Sequence, residues 1–540
     1  MYFDILNPIF MFYIVFRDNT LKDFLMRKIS IFFLLFLYIF NIIFVMRLHT
    51  FYLFPQKDTG VFLYIGQLVA ENKIPYKDSW DHKPPLIYFL NGLLFKFFSK
   101  ESKTIAIFEC FWIFIASLFV FLLVFKFFNF KTTFLTTLLF TLYFSNMSFS
   151  ECYGMTETYQ VLPAIISIYL FFLFYNNKKC SLLFFSGIFA AISFFFKQTG
   201  ISIVFPILIF LLFLKISFIE KLRYFSLFFL GFLIPVFLIL LYFILNNALY
   251  DFLNQVFLYN LLYIKLLKKS FFFNFTNSFL FKRPILLICA IFGILILFFN
   301  IIFKKTYNFK PFGIFLLILT IFDFYFLSLS KRYYNHYFVQ LIPSLSLLSA
   351  ILFDFILKNT KIYISIVILF LIFILSGATS NMEFAIKFKI KNKNFININS
   401  SKYTGYDYDV IKWILENTNQ NDSIYFLGTE TRLNFVTKRK SPSKYTYIYP
   451  LLNYKYATKT DFDIFYNDLS DNKPEFIIDC IGFFAEDTNS EASKKFISQL
   501  SSFGFDNALP LNFHKLIDII DNNYYFYDML ATYKIFKYKR

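Results

Sequence analysis

The chain has 540 residues, of which 58% are hydrophobic and only 16% charged, and its mean hydropathy is +0.59. That balance excludes a soluble globular protein of this length and indicates a polytopic membrane protein. The formal charge of +19 does not signify nucleic-acid binding, because many of the cations sit in short clusters between apolar runs, where they set membrane orientation. The 88 Phe, enriched together with Ile, Lys, Asn and Tyr, fit the coding bias of an AT-rich genome. They are not read as stacking platforms.

Residues 1–28 form a cytoplasmic N-terminal segment rich in cations. The first long apolar run is followed by Arg47-Leu48-His49 rather than by small residues, so no cleavable signal is expected. About eleven runs meet the transmembrane length rule. They lie near 29–46, 104–128, 131–148, 155–176, 181–197, 199–215, 222–245, 284–303, 311–329, 336–357 and 361–378. Lysines and arginines fall in alternate loops, at Lys126 and Lys131, Lys178 and Lys179, Lys215, Lys221 and Arg223, Lys304 and Lys305, then Lys358 and Lys361. The positive-inside rule therefore places the N-terminus in the cytoplasm of a plasma or inner membrane, and an odd span count places the tail outside.

On the outer face the loop 47–103 carries two short apolar stretches, Gly60–Ala70 and Leu86–Phe98, expected to lie along the interface as helices. Asn246–Arg283 interleaves tyrosines with polar groups and is expected to line or cover a groove. The membrane domain spans 29–380. From 385 to 540 the composition turns polar, with helices at Val410–Asn417 and Ser493–Ser501, buried strands at Ser423–Gly428 and Glu475–Cys480, and a closing hairpin at Tyr524–Tyr538. This is a soluble extracytoplasmic α/β domain.

The polar residues of the outer face are the site candidates, since such groups are costly near a bilayer. Asp58 in Gln56-Lys57-Asp58-Thr59-Gly60 opens a helix, where the dipole favours a carboxylate able to accept a proton; a plain N-cap is the bland alternative. Tyr76 and Asp81-His82-Lys83-Pro84-Pro85 follow, with the rigid Pro-Pro step aiming Lys83, a cation suited to a phosphate oxygen unless it merely snorkels. Glu157 begins an apolar run and is a candidate site carboxylate or a partner for Lys83 or Lys197. Lys197, Arg332 and His336 share the outer face, where cations converge as a lipid phosphate would need, or serve as interfacial anchors. Glu151 is a further loop acid, and Glu109, Asp323 and Asp354 lie within spans. Five cysteines without paired spacing and four histidines give no disulfide framework, no His-rich metal site and no expected cofactor; an acidic metal site stays open.

Asp58-Thr59-Gly60, the run Pro75-Tyr76-Lys77-Asp78-Ser79-Trp80-Asp81-His82-Lys83-Pro84-Pro85-Leu86, Met155-Thr156-Glu157 and Arg332-Tyr333-Tyr334-Asn335-His336-Tyr337 together resemble the dolichyl-phosphate-mannose-protein mannosyltransferase superfamily. More narrowly, they resemble its bacterial family 39 and aminoarabinose-transferase-like branch, within the GT-C glycosyltransferases. The resemblance implies an inverting integral-membrane enzyme that moves a sugar from a polyprenyl-phosphate donor to a glycan, lipid or protein acceptor. By residue, it implies Asp58 as the catalytic carboxylate, Lys83 on the donor phosphate, and Glu157 as the acid opening a later span. Two departures stand out. Many members have Asp-Glu where this chain has Asp58-Thr59, and members often carry Arg near the position of Glu109. Lys197, Arg332 and His336 are then the candidates to complete the phosphate site. The rival reading is a flippase of lipid-linked sugars; the lack of internal repeats and the clustering of polar motifs on one face stand against it.

Overall fold

The computed structural model of the protein describes residues 24–150, 153–264, 278–303, 309–358, 362–391, 406–453, 455–481, 514–530 and 533–540. Each of the eleven apolar runs is a helix or the main part of one. In chain order the longer elements begin with α1 (Phe24–Arg47), α2 (Lys57–Ala70), α3 (Leu86–Phe97), α4 (Ser102–Phe125), α5 (Phe130–Phe144), α6 (Thr156–Asn177), α7 (Cys180–Phe196) and α8 (Val204–Leu212). Then come α9 (Phe218–Leu245), α10 (Ile285–Ile302), α11 (Lys310–Ser328), α12 (Ile342–Leu357), α13 (Ile362–Leu375) and α14 (Ala378–Lys391). Among the described residues seven helices are long and apolar enough to cross a membrane unaided. The protein is a multi-pass membrane protein. α13 and α14 together form an apolar pair bent by 55° at a short break. The break falls at Gly377, whose φ of +76° is one that a side chain would resist. The domain boundary expected at residue 385 falls inside α14, because the polar turn of the sequence begins while the helix continues.

Lipid-embedded helices gain nothing from burying one apolar surface on another, so close backbone approach must hold them. α7 and α9 supply it at Gly187 and Gly231: a methyl on Gly187 would collide with the Phe228 carbonyl, and one on Gly231 with that of Phe184. Polar pairs do the rest. Arg47, at the end of α1, forms a fully buried ion pair with Glu109 of α4. The second oxygen of Glu109 accepts the Gly154 N–H at 2.7 Å, fixing the chain just before α6. Asp323 of α11 accepts from Ser202, Gln340 and Ser344.

The C-terminal part is the α/β unit expected. α15 (Tyr406–Asn417) precedes β1 (Ile424–Leu427), α16 (Thr431–Thr437) and α17 (Lys459–Asn472) follow, and then β2 (Phe476–Asp479), α18 (His514–Asn523), β3 (Tyr524–Leu530) and β4 (Tyr533–Tyr538). The sheet order is β1-β2-β4-β3, with β1 and β2 parallel and β3–β4 the closing hairpin. The helix expected at Ser493–Ser501 lies outside the described residues, as does Glu151.

One expectation is corrected. α2 does not lie along the interface with a lipid-facing side: Thr59 to Leu68 are all buried, between α3 and the C-terminal domain. Gly60 permits this, since its missing side chain is where Arg432 of α16 sits. α3 keeps an outward apolar side at Leu93 and Phe97.

Removing one partner of a buried ion pair strands the other in low dielectric. Glu109→Ala should therefore destabilise the protein by about 3–5 kcal/mol, read as a lower melting temperature in detergent. The double change Arg47→Met with Glu109→Leu should recover most of that loss.

Candidate active site

The loop between α2 and α3 is built by its own polar residues. Tyr76 takes a left-handed φ of +70°, unusual for a side-chain-bearing residue, and the turn is closed by Tyr76 N–H to Ser79 O and by Ile74 N–H to the Asp78 carboxylate at 2.6 Å. Such a conformation costs about 1–3 kcal/mol and persists only where its surroundings enforce it. The Tyr76 ring is fully buried, and its hydroxyl donates to the Lys83 carbonyl at 2.7 Å. Trp80 is anchored in the C-terminal domain, through its N–H to Lys444 O and its indole N–H to the Tyr456 hydroxyl.

Asp81 is 2% exposed. Its carboxylate accepts from the His82 N–H at 2.7 Å, the Tyr88 hydroxyl of α3 at 2.5 Å and the Tyr447 hydroxyl of the C-terminal domain at 2.8 Å. Burial pushes this carboxyl above its ordinary range, against the opposing pull of those donors and of the nearby Lys83 charge. Burial, and then Lys83, push His82 down to about 3, so its imidazole is neutral near pH 7. Asn260 donates to the His82 and Val256 carbonyls, so its own oxygen faces the ring and accepts from Nδ1. That hydrogen bond sets the tautomer and leaves Nε2 as an acceptor.

Above this loop lies a cavity of about 400 Å³. Asp58, Asp81, His82, Lys83, Arg332 and His336 all line it. Asp58 is the second residue of α2, not its cap; Gln56 holds the cap position. The Asp58 side chain is exposed and makes no hydrogen bond or ion pair with a described residue, which removes the simple capping explanation. The Lys83 ammonium is likewise uncommitted. Arg332 is held between two left-handed residues, Lys331 and Tyr333, and its guanidinium lies 3.9 Å from the centre of the Tyr263 ring.

Three expected site residues are placed elsewhere. Glu157 and Lys197 do not line the cavity: they pair with each other at 2.5 Å, the second Glu157 oxygen accepts from Thr156, and the ammonium sits 4.0 Å over the Tyr337 ring. A carboxylate and a cation so committed are poor base and phosphate ligand. Glu157 instead supports the wall, 3.7 Å from the His336 Nε2. Tyr76 is a buried strut.

The sequence reading missed the C-terminal contribution. Thr429, Arg432, Tyr447 and Tyr449 line the same cavity, as do Lys57, Tyr263, Tyr334 and Tyr337. Glu430 bridges Lys57 of α2 and Arg432 of α16, at 3.0 and 2.6 Å, and so seams the two domains along the rim. The alternation Tyr445-Thr446-Tyr447-Ile448-Tyr449 is the signal that was available. Among the described residues no three His, Cys, Asp or Glu side chains come together as a metal site.

Tyr447→Phe removes one donor from the Asp81 carboxylate. Asp81 holds its proton to higher pH in the folded chain than in the unfolded one, so its contribution to stability falls as pH rises from the usual carboxylate value through the raised one. Losing the hydroxyl raises that value further. The variant should lose about 1–3 kcal/mol near pH 7 and less near pH 4, measured by thermal melting at both.

Among curated proteins none matches this chain in sequence. Residues 82–243 match the family model described as dolichyl-phosphate-mannose-protein mannosyltransferase. Among solved structures, ArnT from Cupriavidus metallidurans bound to undecaprenyl phosphate is similar at a TM-score of 0.57 and 10% identity, over 94% of this chain and 97% of that one. The archaeal oligosaccharyltransferase AglB from Archaeoglobus fulgidus, in complex with an inhibitory peptide and a dolichol-phosphate, is similar at a TM-score of 0.50 and 13% identity, over 93% of this chain and 74% of that one. The chain thus has the GT-C fold, and the segment that supplies His82, Lys83, Glu157 and Lys197 matches the dolichyl-phosphate-mannose-protein mannosyltransferase family.

Proposed function

We propose that the protein is a glycosyltransferase that takes a hexose or pentose from a polyprenyl-phosphate donor and passes it to a glycan, lipid or protein acceptor. The observation that carries this reading is a single cavity holding an uncommitted acid, Asp58, together with the cations Lys83 and Arg332. The likeness to ArnT and AglB, whose structures contain undecaprenyl phosphate and dolichol-phosphate, supports the same donor class. The alternation of basic loops supports an outward-facing cavity and a cytoplasmic N-terminus.

In this reading the acceptor hydroxyl oxygen attacks the anomeric carbon of the donor sugar, and the bond from that carbon to the phosphate oxygen breaks with inversion. Asp58 takes the proton from the acceptor hydroxyl. The electron pair of the broken bond leaves with the polyprenyl phosphate, where Lys83 and Arg332 stabilise the charge that develops. His82, neutral, offers a hydrogen-bond acceptor to a sugar hydroxyl rather than a charge to the phosphate. His336 borders the same space, with its Nε2 3.7 Å from the Glu157 carboxylate behind it.

Purified protein in nanodiscs, given a panel of undecaprenyl-phosphate sugars, should release free polyprenyl phosphate. Asp58→Asn should slow release roughly 10²–10⁴-fold with donor binding retained, the range typical of losing a general base. Lys83→Gln should weaken both donor binding and turnover. Absence of release with every donor, alongside transbilayer movement of labelled lipid, would overturn the enzyme reading.

A further inference from the structure

A second cavity, of about 390 Å³, lies at the same end of the bundle. It opens where the end of α1, the turn after α5, the approach to α10 and the bend between α13 and α14 meet. Met147 forms part of its wall and accepts from Arg47 at 3.0 Å, so the cavity sits directly over the buried Arg47–Glu109 pair. Nothing in the proposed transfer uses it.

Its chemistry is one-sided. Arg283 lines it, and among the described residues no Asp or Glu does. The Arg283 side chain is half-buried and makes no hydrogen bond or ion pair with a described residue. Its backbone is fixed: the Arg283 carbonyl accepts from the Tyr143 hydroxyl, which in turn accepts from the Leu286 N–H. Gly377 leaves room beside the guanidinium, for a Cβ there would lie 3.1 Å from the Arg283 Nε. Two more polar atoms of the lining residues lack partners although buried, His49 Nδ1 and Asn381 Oδ1, and His49 is only 1% exposed. Buried polar groups are nearly always satisfied, so two such atoms in one cavity, beside a half-buried guanidinium, point to a ligand. Asn146, Ser148 and Ser380 add neutral polar groups, and Leu53, Phe279 and Phe384 form an apolar side, with Phe384 52% exposed on the bundle surface.

A cation with polar neighbours at one end of a cavity and an apolar, outward-opening wall at the other fits an anionic amphiphile. The planar fork of a guanidinium matches phosphate oxygens in pairs. We propose that this cavity binds a phosphate-headed ligand, with the phosphate on Arg283 and, when the ligand is a lipid, its chain along Phe279 and Phe384. The site is distinct from the Asp58 cavity, and the proposal does not depend on the transferase reading.

The test is titration calorimetry on the full chain in a neutral detergent, with dodecyl phosphate and inorganic phosphate as probes. Arg283→Gln should weaken one dodecyl phosphate component about ten- to a hundredfold, the range for losing a charged hydrogen-bond partner. Lys83→Gln should leave that component unchanged, which separates it from binding in the Asp58 cavity. Weak or absent binding of inorganic phosphate at this site would mark the ligand as a lipid, whereas equal affinity would mark it as the free anion. Arg283→Lys, which keeps the charge and loses the fork, should give an intermediate affinity and serves if the Gln variant melts early. Wild-type titration curves for both Arg283 variants, or a component lost only with Lys83, would overturn the proposal.

Discussion

The arrangement of the cavity depends on one buried carboxylate, that of Asp81. Removing an acid from water is costly unless its lone pairs are filled, and here they are filled from three directions: the adjacent backbone, α3 through Tyr88, and the C-terminal domain through Tyr447. Each donor belongs to a different part of the molecule, so the carboxylate can be satisfied only when all three are assembled. His82 and Lys83 follow directly along the chain, and their orientation is inherited from that bond set. Trp80, anchored by Lys444 and Tyr456 on the preceding side, locks the same stretch to the same domain. The C-terminal domain is therefore a wall of the site, and the cavity is complete only with it seated.

Around this point the charges divide into two kinds. Arg47 with Glu109, and Glu157 with Lys197, are paired out of water, where a lone charge would be expensive. Asp58 and Lys83 reach the cavity without partners and are held there by backbone rather than by counter-charges: a helix start for the first, the Pro84-Pro85 step for the second. The paired charges stiffen the walls, and the unpaired ones are left to act on whatever enters. The Glu157–Lys197 pair lies just behind His336, which lines the cavity.

The helices were legible because lipid demands long apolar runs and tolerates little else, so each run became a helix. The strands of the C-terminal domain were legible from short apolar bursts such as Ile424–Leu427 and Phe476–Asp479. What could not be read was which way a side chain points once the helices are packed. Glu157 and Lys197 lie forty residues apart on separate elements; the cost of a lone carboxylate made a partner such as Lys83 or Lys197 legible, but not which of the two Glu157 takes. The burial of α2 was also invisible, because its apolar content is that of an interfacial helix; the C-terminal domain that covers it lies more than three hundred residues away. The left-handed backbone at Tyr76, Lys331 and Tyr333 contradicts residue preference, since it is imposed by tertiary contacts on residues that would not choose it.

The two departures from the resembling family turn out to concern one junction. Where many members have a second acid, this chain has Thr59, fully buried, with its hydroxyl donating to the Tyr153 carbonyl at 2.9 Å. A carboxylate there would set its oxygens against that carbonyl oxygen instead of donating to it. Where members often carry arginine on the second span, this chain has Glu109, whose pair with Arg47 and bond to Gly154 fix the same 153–155 turn from the opposite side. The cation is present, but it comes from α1 and is spent on structure. With a neutral Thr59 and a committed Arg47, the turn leading into Glu157 is held without a free charge. That leaves Asp58 as the acid of α2 that lines the cavity, with Lys83 and Arg332 among the cations around it.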